Sequence, residues 1–324
     1  MFATATTSAP YSRQRHGGLD VVRLLLACIV VLAHASFFLT ISPEAHYTVN
    51  NGVARLIVPF FFVMSGYFFE QQTRAGLWSW VRKVASYYLI WTAIYLPIIL
   101  IYEDFSLLRL GFYAVFGYAH LWFLPALLGG GVMFHLLRNI GNRQLVILAV
   151  SLVAVGVALQ YFEDITQDME HLRYRHAHEA EVRNFLFMGF PFVALGVVIR
   201  RTRFAEGELR ARDWVLLGLG SIVLFAEIGF NYRYLPTKGI FELVFSAVVM
   251  APLLFRFANA LPLRVGGRKL RDLSSAIYFS HLLPLIPLRA GFDLSFGELA
   301  LLALVLSFAL APLLLRLNRW LPLF

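Results

Sequence analysis

The chain has 324 residues, of which 59% are hydrophobic and only 15% charged, and its mean hydropathy is +0.70. A globular protein needs about 25% charged residues to cover its surface, so soluble domains are excluded and lipid is the expected solvent. The lone Cys28 excludes an internal disulfide framework and a Cys-clustered metal site, while the net charge of +9 raises nucleic acid as a partner until the placement of that charge is known.

The polar segment 1–18 predicts a disordered cytoplasmic tail and no cleavable leader. Residues 19–324 predict a single transmembrane domain. A bilayer crossing takes about 20 apolar residues. Ten stretches reach or approach that length, at about 20–40, 53–70, 84–101, 119–137, 145–161, 184–200, 213–230, 240–257, 273–289 and 298–315. The runs are continuous and lack the alternation of a membrane β-barrel. With the N-terminus in the cytoplasm and the loops alternating, nineteen of the 28 Lys and Arg residues fall on the cytoplasmic side and seven on the other, with Arg23 and Arg55 inside spans. That asymmetry is the one membrane proteins carry. It predicts an all-α integral membrane protein, a bundle of about ten transmembrane helices with both termini cytoplasmic. The organisation suits a bacterial cytoplasmic (inner) membrane, and nucleic acid is no longer needed to explain the charge. Trp78, Trp80, Trp214 and Trp320 fall near predicted membrane interfaces. In the outer loop at about 161–183, His171, His176 and His178 lie among carboxylates. A solvated charged loop explains them better than a metal site, because nothing fixes a ligand geometry.

Ionisable groups inside spans cost about 2.5–3.5 kcal/mol each and usually face a polar cavity or a partner. In the first span, Asp20 stands one turn before Arg23, and His34 follows Arg23 by eleven residues. Eleven residues make three turns plus about 20°, so Arg23 and His34 share a face about 16 Å apart along the axis. Arg23 alone could snorkel to the headgroups, whereas a neutral imidazole in hydrocarbon must still satisfy a donor and an acceptor. Together they predict a polar track entering from the cytoplasm. The second span carries Arg55 and then Ser65-Gly66, a small hydroxyl-bearing spot suited to close helix approach. The fourth opens with His120-Leu-Trp122, where an interfacial Trp is commonplace. Glu227 in the seventh span calls for a partner such as Arg55, or for water at the membrane edge. The ninth holds Tyr278 and His281.

These motifs resemble the acyltransferase family 3 proteins, multi-span membrane acyltransferases that O-acylate glycans. The resemblance rests on Asp20-x-x-Arg23-x10-His34, on Val58-Pro-Phe-Phe-Phe-Val-Met-Ser-Gly-Tyr67, on His120-Leu-Trp-Phe-Leu124 and on Leu273-Ser-Ser-Ala-Ile-Tyr-Phe-Ser-His281. One departure is Trp80, which stands where many members carry the first arginine of an Arg-x-x-Arg pair and leaves Arg82-Lys83 beside it. The appended hydrolase-like domain of some relatives is not expected. The resemblance implies transfer of an acyl group, acetyl foremost, from cytoplasmic acetyl-CoA or another acyl-CoA to a hydroxyl of a carbohydrate, whether lipid-linked, polymeric or small.

On that implication Arg23, with Arg82 and Lys83, holds the CoA phosphates, and guanidinium forks suit phosphate oxygens. His34 acts as general base toward the acceptor hydroxyl, in preference to carrying the acyl group itself. Ser65, Tyr278 or Trp122 supplies a donor to the thioester oxygen. No permanently bound cofactor and no metal are expected. The competing expectation is a transporter or flippase for a glycan or small metabolite, with Arg23, Arg55, Glu227 and His34 lining the route, because intramembrane charges mark transport pathways as readily as active sites.

Overall fold

Eighteen residues from Gly17 to His34 form α1 in the computed structural model, which describes residues 17–103, 106–166, 181–235, 241–263 and 267–324. The helix begins inside the segment expected to be a tail: Gly17 and Gly18 are helical and buried, while 1–16 lie outside the described residues. The described residues are 81% helix and contain no strand. After α1 come α2 (Pro43–Asn51), α3 (Ile57–Tyr67), α4 (Leu77–Tyr102), α5 (Leu107–Phe116), α6 (Phe123–Leu136) and α7 (Asn142–Thr166). Then follow α8 (Phe190–Arg201), α9 (Ala211–Tyr234), α10 (Ala247–Ala260), α11 (Arg268–Ser280), α12 (Leu282–Gly291) and α13 (Phe296–Leu317).

Seven helical segments among these residues are long and apolar enough to cross a membrane: Gly17–His34, Pro43–Tyr67, Leu77–Tyr102, Ala119–Leu136, Asn142–Thr166, Ala211–Tyr234 and Phe296–Leu317. Their outward faces expose large apolar side chains such as Val215, Leu219, Ile222 and Val223 on α9, as expected of a surface that meets lipid tails. The other three of the ten expected spans are interrupted. The sixth opens with a π-helical turn, Phe185–Gly189, before α8. The eighth begins only at Ala247, because 241–246 is not helical. The ninth breaks at His281 between α11 and α12. Irregular backbone at membrane depth survives only where protein or a wet cavity satisfies its polar groups.

Side chains meet that demand for 241–246. The Asn51 side-chain oxygen accepts from Phe241 N at 2.7 Å. Gln160 of α7 accepts from Glu242 N at 2.7 Å and Leu243 N at 3.1 Å, and donates to Leu243 O at 3.0 Å. Glu227 accepts from Phe245 N at 2.6 Å and Ser246 N at 2.9 Å, at the start of α10. Glu227 therefore caps a helix, and the expected pairing with Arg55 gives way because the unwound segment needs acceptors there.

At the centre of the bundle α3 lies against α8, and α8 in turn packs on α6 and α7. A Cβ on Gly66 would come within 2.0 Å of Val193 O, and one on Gly196 within 2.0 Å of Val63 O. Two backbones this close need glycine on both sides. The small spot expected at Ser65-Gly66 is thus a packing contact, and the Ser65 hydroxyl donates to Phe61 O of its own helix at 2.8 Å. Trp80 is also internal. It is 4% exposed and its indole donates to the Gln72 side chain at 3.1 Å, whereas Trp78, Trp214 and Trp320 are exposed as interfacial residues should be. At the end of the bundle that carries Arg23, the buried Arg256 pairs with Asp213 at 2.7 Å and donates to Phe204 O, anchoring the turn between α8 and α9.

Candidate functional site

His34 is the last residue of α1. The helix stops there, and Ser36 turns the chain with φ of 59°. His34 lines an open cavity of about 350 Å³. Side chains from five regions line that space: Val30 and His34 of α1; Asn50 and Arg55 around the break between α2 and α3; Glu103 and Tyr113 near α5; Tyr118, His120 and Trp122 before α6; and Arg183, Glu242 and Tyr278, in or beside the three interrupted spans. The irregular stretches around Arg183 and Glu242 thus each deliver a charged side chain to one place.

The wall opposite His34 is an ion triad. Glu242, 7% exposed, takes one N–H from Arg55 and one from Arg183, each at 2.5 Å and each on a separate carboxylate oxygen. Arg55 also donates through Nε to Asn50 O at 2.7 Å, and the Arg183 guanidinium lies 5.9 Å from the Trp122 ring centre. A buried charge shared this way is tolerable because every participant is paired and hydrogen-bonded. Nearby, Glu103 accepts from the Tyr118 hydroxyl at 3.3 Å.

Three imidazoles form the floor. The His34 and His281 ring centres are 5.1 Å apart, and those of His281 and His120 are 4.8 Å apart. His281 is fully buried and His120 nearly so. His120 sits in a 3-10 turn, Ala119–Trp122, entered through Ala119 with φ of 46°. Gly117 (φ 92°) starts that turn, and a Cβ there would lie 2.5 Å from Trp122 N. Positive φ in a non-glycine residue costs of order 1–3 kcal/mol and concentrates at functional sites. Ser36 and Ala119 are two of the three such residues among those described; Ala119 precedes His120 directly, and Ser36 follows His34 by two residues. Tyr95 braces the floor by donating to Phe279 O at 2.7 Å, and the Tyr278 hydroxyl donates to His120 O at 3.4 Å. Among the described residues no three His, Cys, Asp or Glu side chains are arranged to hold a metal ion.

The structure therefore gathers His34, Arg55, His120, Trp122 and Tyr278 around one cavity, with His281 directly beneath. Ser65 and Glu227 do not line it. Arg23 lies elsewhere, its guanidinium donating to the Ser275 hydroxyl of α11 at 3.3 Å, while Asp20 accepts from Gly267 N at 2.7 Å where α11 begins. Between Arg23 and His34 the shared face of α1 carries Ala27, Val30 and Val31, all buried. The expected continuous track is thus filled by small apolar side chains, and the cavity ends at Val30 and His34. Arg82 and Lys83 are exposed on the first turns of α4, and among the described residues no hydrogen bond or ion pair joins them to Arg23. His171, His176 and His178 lie outside the described residues.

Two residues of the cavity wall, Glu242 and Arg183, are not among the residues that the sequence singles out. Glu242 is the one carboxylate in the expected eighth span, and an intramembrane charge is a functional candidate by default. Arg183 stood one residue outside an expected span and was counted as loop charge.

Comparison with known proteins places this architecture. The family model for the acyltransferase domain numbered 3 matches residues 16–316. Among curated proteins, the chain is 27% identical to an amino-acid racemase of Enterococcus faecalis, over 95% of this chain and 47% of that protein. It is 26% identical to a serine/alanine racemase of Enterococcus gallinarum, over 58% of this chain and 29% of that protein. The chain spans less than half the length of these curated relatives. No solved structure matches it.

Proposed function

The chain belongs to the acyltransferase 3 family, and from that premise we propose that it moves an acyl group, acetyl foremost, from cytoplasmic acyl-CoA to a carbohydrate hydroxyl on the other side of the membrane. On this reading the Arg23 end of the bundle is cytoplasmic, the chain crosses a bacterial inner membrane ten times, and the cavity opens outward. The observation that carries the reading is His34 lining a cavity that also holds charged and aromatic side chains, in a chain matched along nearly its whole length by an acyltransferase family. Interleaved carboxylate, guanidinium and aromatic side chains suit an acceptor rich in hydroxyl groups, and 350 Å³ lies at the small end of ligand-pocket sizes.

The reaction needs few parts. The acceptor oxygen attacks the thioester carbon, a neutral His34 takes the hydroxyl proton, the C–S bond breaks, and His34 returns the proton to the departing CoA thiolate. Trp122, on the cavity wall, is the donor to the developing oxyanion on this reading, a contribution of about 10²–10³ in rate, because the Tyr278 hydroxyl is already given to His120 O. Ser65, whose hydroxyl is spent on its own helix, is not. Arg23 and the exposed Arg82 and Lys83 take the CoA phosphates. The thioester reaches His34 only if α1 moves away from its neighbours around Ala27 and Val31.

Release of free CoA from acetyl-CoA tests the proposal, measured on membranes holding the protein with candidate glycans supplied. The expected result is acceptor-dependent release that His34→Ala abolishes while CoA binding persists. A cavity open at one end and sealed at the other also suits a transporter, for which the thioester would stay intact in every arm. That outcome would replace the acyltransferase reading.

A further inference from the structure

Two hydrogen positions on the cavity floor are fixed by their partners. A carbonyl oxygen can only accept, so the contact of His281 Nδ1 with Tyr278 O at 2.7 Å places a proton on Nδ1. By the same argument the contact of His120 Nε2 with Phe279 O at 3.2 Å places its proton on Nε2. What remains on each neutral ring is a lone pair. His281 Nε2 and His120 Nδ1 are buried and find no hydrogen-bond partner among the described residues. An imidazolium at His281 would instead bury a charge without a counter-ion, which is far costlier.

Three rings border His281, with centres 5.1, 4.8 and 6.3 Å away: His34, His120 and Tyr278. The His120 N–H is committed to Phe279 O, and the Tyr278 hydroxyl to His120 O. His34 is the remaining neighbour with a hydrogen to give, and it lines the cavity. The break between α11 and α12 falls on His281 itself, and α11 packs against α1, so the backbone irregularity sets this one ring under the end of α1.

We propose that His281 is the positioning residue for His34: a turn of the His34 ring brings its N–H to the unpaired Nε2 of His281 and thereby points the other His34 nitrogen, lone pair outward, toward the acceptor hydroxyl. The inference rests on the acyl-transfer reading and adds the tautomer that makes His34 a base. When the acceptor oxygen bonds to the acyl carbon and loses its proton to His34, the hydrogen bond to His281 holds the resulting imidazolium in place. The C–S bond breaks and the same proton leaves with the CoA thiolate. His281 neither gains nor loses a proton in the cycle.

Two variants and one spectrum test this. His281→Phe keeps the ring and removes the acceptor nitrogen. It is expected to lower kcat about a hundredfold, the lower end of what a positioned base contributes, with KM for acyl-CoA unchanged. His281→Gln restores an acceptor and is expected to recover to within about tenfold of wild type. Equal activity of His281→Phe and wild type would overturn the inference while leaving the acyl-transfer reading intact. So would equal losses in the two variants. ¹⁵N NMR of histidine-labelled wild-type protein is independent of turnover. An Nδ1-protonated His281 whose Nε2 signal shifts in His34→Gln supports the hydrogen bond, and an unshifted signal refutes it even where no CoA release is found. If His281→Phe does not fold, the spectrum and the glutamine variant decide.

Discussion

Replacing Glu242 by glutamine removes one negative charge between two guanidiniums while keeping size and one acceptor oxygen. A unit pair at about 4 Å is worth ~4 kcal/mol gross at an effective dielectric near 20, and desolvation cancels much of that. Removing one partner of a buried pair costs roughly 3–5 kcal/mol. Arg55 and Arg183 retain 17% and 19% exposure, toward the cavity, where water screens them, so the lower end applies: about 3 kcal/mol. At roughly 2 °C per kcal/mol for a large domain, the melting temperature of the purified protein in detergent should fall by about 6 °C. Arg183→Gln alone should also destabilise, and the double variant should lose less than the sum, because the third charge no longer faces an unmatched partner. On the proposed reading KM for the acceptor rises tenfold or more, equivalent to about 1.4 kcal/mol of lost contact, while CoA binding is unaffected. A melting temperature within about 1 °C of wild type, together with additive single effects, would refute the triad as the element that shapes the cavity.

Further outcomes follow from other contacts. Arg23→Ala removes a cation remote from the cavity, so it should raise KM for acyl-CoA about tenfold or more with little change in KM for the acceptor; steady-state kinetics with each substrate varied would show the split. Gln160→Ala deletes three hydrogen bonds to residues 242–243, each unsatisfied buried group costing about 1–3 kcal/mol. It should destabilise the fold and impair acceptor use together, and a Gln160→Glu variant, which keeps the acceptor oxygen, should be milder. Both are read by melting temperature and by acceptor KM.

Hydropathy made the long crossings legible. Asn142–Thr166, Ala211–Tyr234 and Phe296–Leu317 overlie the expected spans because a long apolar run in lipid has no better option than an α-helix. The interrupted spans were not legible as such. The run from Gly239 through Met250 is nearly all apolar, and composition does not reveal that Asn51, Gln160 and Glu227, on other helices, supply the hydrogen bonds that let it unwind. Spacing within α1 put Arg23 and His34 on one face, yet it could not tell a water-lined face from one filled by Ala27 and Val31. His34, His120 and His281 were each visible as an unusual intramembrane residue. Their meeting was not, since it depends on how three separate segments pack.

The small-residue seal between Arg23 and His34 carries a consequence for the cell as well as for the reaction. A bore wide enough for a pantetheine arm would pass protons and ions when nothing occupies it, and each charge crossing dissipates about 2.3 kcal/mol per 100 mV of membrane potential. Ala27, Val30 and Val31 put apolar bulk where such a leak would begin. On the proposed reading, in which a thioester passes through an energised membrane, the greatest gain comes from a gap that the donor itself wedges open and its departure closes.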